Sequence, residues 1–141
     1  MPLSRKVLVY VLRDAPGGPE LLVFDSHEEP GCEVPRGKAQ IGESIVDAAH
    51  RELREESGLS ASILEILGSV VWKNERQSFV LAAVHGEPLD EFSHVVTGGD
   101  EDDGLTYAFH WLPVDRSLSE ILVQGCDALV PQLLVAIVRR G

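Results

Sequence analysis

Basic residues are scarce in this chain of 141 residues, which has 12 lysines and arginines against 23 aspartates and glutamates and a formal net charge of −11. Proteins that bind nucleic acids generally contact the phosphate backbone with basic patches, so this composition argues against a nucleic-acid partner. A polyanionic ligand would need a bound metal or local cations to screen the negative charge of the protein.

Cysteine is also rare, and long apolar runs are absent. Cys32 and Cys126 lie far apart and form no metal-binding spacing, so we interpret both as reduced, buried thiols of a cytoplasmic protein. No apolar run approaches the roughly 20 residues of a membrane helix, so no membrane partner is expected. The alternating apolar N-terminus lacks a cleavage site with small residues, and we expect no signal peptide.

The chain length is sufficient for one hydrophobic core, and we expect a single domain over residues 1–141. Hydrophobic patterns alternate between the strand and helix periods along the sequence. Strands are predicted over residues 6–12, 20–24, 61–72, 77–85 and 105–112. Helices are predicted over residues 44–58, 118–124 and 127–140. This order of elements predicts an α+β or α/β sandwich with a mixed sheet, and we take α+β as the fold class.

Four local predictions accompany this order of elements. Residues 14–19 should form a hairpin loop that is somewhat longer than the tightest kind. Gly68 should mark a bulge or bend within a long strand. Residues 86–104 resemble a long loop, and loops of such length without structure are usually functional or disordered. Asp127 should cap the last helix.

The most informative stretch covers residues 37–59 and reads GKAQIGESIVDAAHRELREESGL. Ser44 favours the start of a helix and Gly58 favours its end. The last turns of this helix carry Glu52, Glu55 and Glu56, where mutual repulsion and the helix dipole both disfavour negative charge. A divalent cation would reverse both costs, because Mg²⁺ and Mn²⁺ prefer hard oxygen ligands. An ordinary solvated acidic face is the competing interpretation.

This stretch resembles the signature of the Nudix hydrolases, in which a glycine, five residues, a glutamate and seven residues precede Arg-Glu-aliphatic-any-Glu-Glu-any-Gly-aliphatic. The matching positions are Gly37, Glu43, Arg51, Glu52, Leu53, Glu55, Glu56, Gly58 and Leu59. The resemblance implies an α/β/α sandwich that hydrolyses a nucleoside diphosphate linked to another group X. It also implies Mg²⁺ or Mn²⁺ as the cofactor and a nucleotide or other diphosphate-containing small molecule as the partner.

The resemblance further implies roles for individual side chains. The metal ligands that it implies are Glu52, Glu55, Glu56 and the backbone carbonyl of Arg36. Glu52 is also a candidate general base, and Glu43 is a further ligand or base candidate. Arg51 would orient Glu52 through a charge-assisted hydrogen bond. Gly37 and Gly58 would supply backbone geometry.

Residues outside the signature complete the expected site. Arg36 and Lys38 would stabilise charge on the reacting phosphates, with surface solubility as the alternative. Trp72 would stack on a nucleobase, with packing in the core or at its rim as the alternative. In the acidic run at residues 100–103, Glu101 would be a further ligand or base, with a solvated loop as the alternative.

The substrate class is less constrained by the sequence than the family is. The lead-in VPRGKAQIGES is partly similar to that of Nudix enzymes acting on dinucleoside polyphosphates, and a MutT-like (d)NTP pyrophosphatase is the alternative. The downstream proline of ADP-ribose pyrophosphatases is absent, which disfavours ADP-ribose. A module that binds nucleotides without hydrolysis and a metal-dependent isomerase using Cys32 are the rival classes. No helix-turn-helix pattern or basic appendage supports a DNA-binding regulator.

Overall fold

The computed structural model describes residues 3–99 and 102–141 of the chain. Its elements in order are β1 (Ser4–Ala15), β2 (Gly18–Asp25), β3 (Cys32–Glu33), β4 (Arg36–Lys38), α1 (Ile45–Ser57), β5 (Ala61–Trp72), β6 (Glu75–Val84), β7 (Phe92–Val95), β8 (Thr106–Pro113), α2 (Leu118–Ile121) and α3 (Val130–Arg140). Within those described ranges, no helix combines the length and the apolar character that crossing a bilayer requires.

One mixed sheet with the strand order β5-β6-β1-β2-β8-β7 forms the centre of the structure. Strands β1 and β6 run parallel, and the other neighbours in this order are antiparallel. Strand β1 pairs with β2 only from Leu12 to Ala15. Beyond that pairing, β4 joins β1 and β3 joins β2. The short β3–β4 segment therefore connects the two strands where they diverge.

Alternate residues of β1 face opposite layers of the molecule. Leu8 and Tyr10 pack in a core cluster with α2 and α3, whereas Val7, Val9 and Val11 pack in a second cluster with α1. All five side chains are fully buried. The sheet therefore separates two helical layers, which confirms the α+β fold and its mixed sheet and gives the α/β/α order.

The first hairpin is tighter than the sequence suggested. Strand pairing continues to Ala15 and Gly18, so the loop contains only Pro16 and Gly17. The prediction of a longer loop was wrong because residues 14–15 and 18–19, which were assigned to the loop, continue the pairing of the two strands. Beside them, Arg13 pairs across the strands with Glu20, and its guanidinium lies 2.8 Å from the glutamate carboxylate.

The long strand and its hairpin largely follow the prediction. Strand β5 shifts register against β6 between Ile66 and Gly68, which confirms an irregularity at this glycine. Lys73 and Asn74 form the turn with positive φ angles of 51° and 63°. Pairing resumes at Glu75, two residues before the predicted strand start, because two left-handed residues are enough to reverse the chain.

Residues 86–104 are not a continuous loop. Strand β7 lies within them and pairs antiparallel with β8. Phe92 of β7 stacks on Phe109 of β8, with ring centroids 5.1 Å apart. This strand has only four residues, and its pattern was too short to stand out from the polar residues around it.

The predicted cap of the last helix is also wrong. Helix α3 begins after Leu129, which makes no side-chain capping hydrogen bond. Asp127 instead accepts a hydrogen bond from the backbone N–H of Gly125 at 3.0 Å. The carboxylate therefore closes a turn before the helix. Helix α2 is likewise shorter than predicted and ends at Ile121.

Candidate functional site

Helix α1 begins and ends where the sequence predicts. The Ser44 hydroxyl accepts a hydrogen bond from the backbone N–H of Asp47 at 3.0 Å. Gly58 closes the helix at a φ of 75°, a conformation that favours glycine. A Cβ atom at Gly58 would also lie 3.0 Å from the His94 imidazole, so this glycine additionally allows β7 to pack closely.

Two of the predicted metal ligands lie inside the fold. Glu52 is 1% exposed and Glu56 is 4% exposed. A Cβ atom at Gly37 would overlap the Glu52 carboxyl group, so this carboxylate lies directly against the backbone of β4. Glu56 Oε1 accepts a hydrogen bond from the backbone N–H of Arg36 at 2.7 Å. The carboxylates of Glu52 and Glu56 therefore contact the backbone of β4 where it pairs with β1.

Arg51 connects the acidic side chains of this region. Its guanidinium donates two 2.8 Å hydrogen bonds to Glu43 and one of 2.8 Å to Glu52. It also donates to Glu55 at 3.2 Å and to the backbone carbonyl of Lys38 at 2.9 Å. These hydrogen bonds from Arg51 lower the pKa of Glu43 to about 2. The geometry therefore supports a positioning role for Arg51.

The negative charge around Glu56 is only partly balanced. Burial raises the pKa of Glu56 well above its ordinary value, the Arg36 backbone N–H lowers it, and the carboxylates of Glu52 and Asp102 raise it further. Buried carboxylates with surplus negative charge attract a cation, and hard oxygen donors are the set that Mg²⁺ and Mn²⁺ take. The residues present therefore fit a divalent metal.

The predicted substrate-binding residues have different surroundings. The Arg36 guanidinium is bound to Glu33 at 2.5 Å, so it is already engaged in an ion pair. Lys38 is exposed on β4. Trp72 is half-buried, packs on Gly125 and has the Lys73 ammonium 4.3 Å from its ring centroid. Their roles toward substrate stay predictions, and Glu101 lies outside the described residues.

Three residues near the site were missed by sequence reasoning. Tyr107 donates a 2.5 Å hydrogen bond to Asp102, and Asp102 is close enough to Glu56 to raise its pKa. The acidic loop therefore approaches α1 through Asp102. Glu33 is buried beside Arg36. Asp102 belongs to the acidic run that drew attention in the sequence, but nothing in the pattern singled it out, and Glu33 lies outside any signature.

A family model described as the NUDIX domain matches residues 2–132 of the chain. The chain belongs to the Nudix family. As a member, it is a hydrolase that acts on phosphorus-containing anhydrides, within a family that acts on substrates linked to nucleoside diphosphates. The family and the enzyme class inferred from the signature on α1 are thereby confirmed.

Several known proteins are similar to this Nudix chain. An RNA pyrophosphohydrolase from Ectopseudomonas mendocina (strain ymp) is 27% identical and is matched over 73% of this chain and 78% of its own. A MutT structure from a study of Aliivibrio salmonicida and Vibrio cholerae has a TM-score of 0.64 at 20% identity, covering 96% of this chain and 98% of that one. An ADP-ribose pyrophosphatase from Streptococcus suis has a TM-score of 0.63 at 14% identity, covering 99% and 92%. These two structural likenesses show the fold alone.

Both cysteines are free and buried, as predicted. The Cys32 thiol lies beside Asp25, and burial together with this carboxylate raises its pKa to about 11. A thiol with a raised pKa is a poor nucleophile or proton donor and acceptor near neutral pH. These surroundings argue against the isomerase alternative.

Proposed function

We propose that this Nudix enzyme hydrolyses a phosphoanhydride bond in a nucleoside diphosphate linked to another group, with a dinucleoside polyphosphate as the leading substrate class. The observation that carries the proposal is the burial of Glu52 and Glu56 against the backbone of β4, with the carboxylates of Glu52 and Asp102 close to Glu56. Such carboxylates suit a divalent cation and, through it, a diphosphate.

Mg²⁺ or Mn²⁺ would be held by the carboxylates of Glu52, Glu55 and Glu56 and by the backbone carbonyl of Arg36. When bound, the metal screens the phosphate oxygens and lowers the pKa of a water molecule. The Arg36 backbone N–H fixes the position of Glu56 by its 2.7 Å hydrogen bond. We assign metal binding, rather than contact with bulk solvent, to the two buried carboxylates because the hydrogen-bond donor of Glu56 is a backbone N–H without a net charge, and the carboxylate of Glu52 lies close to it.

The remaining side chains of the site orient these groups and the substrate. Arg51 holds Glu52 and Glu55 on one side of its guanidinium while Glu43 fixes the other side. Glu52 or Glu43 would accept the proton of the attacking water. Lys38 is exposed next to Gly37, so its ammonium group would offset charge on the phosphate chain.

The similarity to an RNA pyrophosphohydrolase supports a substrate with a chain of several phosphates. A long RNA contact is disfavoured because the net charge of the protein is −11. A small nucleotide that carries a polyphosphate satisfies both observations, and a nucleoside triphosphate is the second candidate. Cytoplasmic activity is part of the proposal, because free buried thiols are usual where disulfides are kept reduced.

A substrate panel tests the proposal. Dinucleoside polyphosphates, nucleoside and deoxynucleoside triphosphates, ADP-ribose and a 5′-triphosphorylated RNA oligonucleotide would be incubated with the enzyme and Mg²⁺ or Mn²⁺. The reaction would run in ¹⁸O-labelled water, so that the labelled product identifies the phosphorus that is attacked. We expect metal-dependent turnover to be highest on a dinucleoside polyphosphate.

Matched variants separate catalysis from nucleotide sensing. Glu56→Gln should abolish turnover, whereas Glu87→Gln, at an exposed glutamate after β6, should leave it unchanged. Binding of a nucleotide without turnover under every metal condition would instead support the sensing module. Equal turnover by Glu56→Gln at excess Mg²⁺ would contradict the metal assignment.

A further inference from the structure

A second group of metal-binding side chains lies outside the site on α1. Asp25 ends β2, Cys32 begins β3, and His110 lies on β8. Asp25 of β2 is the pairing partner of Cys32 on β3, and Val23 of β2 is the pairing partner of His110 on β8. The three side chains therefore meet where β3 and β8 lie on either side of β2. One ligand atom from each residue lies within 4.8 Å of the others.

The distances within this group leave space between the polar atoms. Cys32 Sγ lies 3.7 Å from an Asp25 carboxylate oxygen and 3.9 Å from His110 Nε2. His110 Nδ1 lies 3.9 Å from the same Asp25 oxygen. An N–H···O hydrogen bond spans about 2.7–3.2 Å, so the carboxylate and the imidazole face each other without forming one. Direct hydrogen bonding therefore does not account for all three contacts.

The backbone around Cys32 is held firmly in place. Its carbonyl accepts a 2.9 Å hydrogen bond from the Val123 N–H, and the residue forms an isolated parallel bridge with Leu122. The residue before it, Gly31, lies so close to Ile121 that a Cβ atom would be 2.8 Å from the isoleucine carbonyl oxygen. The thiol is therefore preorganised, because its strand is fixed between β2 and the segment that follows α2.

The group is buried on one side and open on the other. Cys32 is 7% exposed, whereas the side chains of His110 and Asp25 are 31% and 71% exposed. A cation could therefore reach the thiol from solvent past the aspartate. The same opening leaves room for a water molecule as a fourth ligand, as in zinc sites with three protein ligands.

The donor atoms select the kind of metal. A thiolate and an imidazole favour Zn²⁺ and similar transition metals, whereas Mg²⁺ prefers oxygen ligands in octahedral geometry. Tetrahedral Zn²⁺ with bonds of about 2.0–2.3 Å places its ligand atoms roughly 3.3–3.6 Å apart. The separations of Cys32 Sγ from Asp25, 3.7 Å, and from His110 Nε2, 3.9 Å, need to close by only a few tenths of an ångström. The 3.9 Å contact with Asp25 is made by the other ring nitrogen, Nδ1, so the exposed carboxylate would have to turn toward the nitrogen that binds the ion.

We propose that Asp25, Cys32 and His110 form a transition-metal site that binds Zn²⁺ and is separate from the carboxylate site on α1. The bound ion would tie β3 to β8 and so fix the strand that leads into Arg36 and Gly37. Binding would release the thiol proton, because the thiolate is the form of cysteine that ligates metals.

Cobalt titration tests this assignment without measuring enzyme activity. The full-length protein would be stripped of metal with a chelator and titrated with Co²⁺, which reports tetrahedral thiolate ligation by charge-transfer and d–d absorption bands. We expect one equivalent of Co²⁺ to produce these bands and Zn²⁺ to displace it. Zn²⁺, but not Mg²⁺, should then abolish the bands when added at the same concentration.

Variants identify the ligands and control for folding. Cys32→Ser should abolish the thiolate band, and Cys126→Ala should retain it because the second thiol is not part of this group. Asp25→Asn changes a side chain that is 71% exposed, so we expect this variant to fold. It should weaken binding by at least the roughly 10- to 100-fold that loss of an outer partner costs at metal sites.

Three outcomes would overturn the proposal. These are the absence of a thiolate band in the wild-type protein, a band that survives in Cys32→Ser, and unchanged affinity in Asp25→Asn. Glu56→Gln should leave the band intact, so a failure of the hydrolase proposal and a failure of the zinc proposal give different results.

Discussion

Replacing Gly37 with alanine is the sharpest test of the contact between α1 and β4. The backbone of Gly37 is not in the left-handed region, so alanine can adopt its conformation. The added Cβ atom, however, would overlap the Glu52 carboxyl group. Because Cβ atoms rarely approach heavy atoms within 3.0 Å, either the carboxylate or β4 must move by about 1 Å.

The size of this displacement predicts unequal effects on stability and activity. Extra atoms in a packed interior typically cost about 1–3 kcal/mol of unfolding free energy, and this protein should therefore remain folded. A misplacement of about 1 Å in a catalytic group can reduce turnover by about 10²-fold. Movement of Glu52 would also disturb its 2.8 Å hydrogen bond with Arg51. We therefore expect kcat to fall by about 10²-fold while the melting temperature falls by about 3–12 °C.

The assay compares kcat, KM and thermal unfolding of Gly37→Ala with those of Gly17→Ala. Gly17 lies in the loop of the first hairpin, and a Cβ atom there would have no heavy atom within 4 Å. This control should match the wild-type protein in all three quantities. If Gly37→Ala retained the kcat of the wild-type protein, catalysis would not require the close contact between Glu52 and the β4 backbone.

Three further changes probe the charges of the site. Glu56→Gln keeps an acceptor for the Arg36 N–H and removes a buried charge, so circular dichroism should show equal or higher thermal stability while turnover falls by orders of magnitude. Arg51→Lys should lower kcat at least tenfold, because a single ammonium cannot replace the paired hydrogen bonds to Glu43 and the bond to Glu52. The folded-state pKa of Glu43 is about 2, below its ordinary 4.5, so its stabilisation is present above pH 4.5 and is lost as the pH falls toward 2. The free energy of unfolding of Glu43→Gln, measured with a chemical denaturant, should therefore be lower than that of the wild type at neutral pH and should approach it in acid. A difference that does not change with pH would contradict this linkage.

Local sequence rules predicted the parts of the site that depend on one helix. Ser44 and Gly58 terminate α1 as expected because capping depends on backbone geometry within a few residues. Of the acidic cluster that the sequence placed in the last turns of this helix, Glu52 and Glu56 are buried. The glycine at position 37, against which the Glu52 carboxyl group packs, was indicated by the family signature. The helix pattern alone does not predict this contact.

Contacts outside helix α1 were not predictable in the same way. Arg36 was expected to face phosphates, but its side chain pairs with Glu33, a partner three residues away on a strand of only two residues. Tyr107 and Asp102 meet because β8 pairs with β7 and returns the acidic loop toward α1. A short strand has too few residues for its alternation to be recognised, and β7 therefore remained hidden within a predicted loop.

The site on α1 has to remain folded before a metal arrives, although its carboxylates repel one another at the disfavoured end of a helix dipole. Arg51 reduces the repulsion between these carboxylates, because its guanidinium contacts Glu43, Glu52 and Glu55 at once. The Arg36 backbone N–H stabilises Glu56 from the opposite element, and a backbone donor adds no second charge that a metal would have to displace. The Arg51 guanidinium and the Arg36 N–H therefore hold these carboxylates in fixed positions without an ion, and in the proposed metal complex the backbone donor could keep its contact with Glu56.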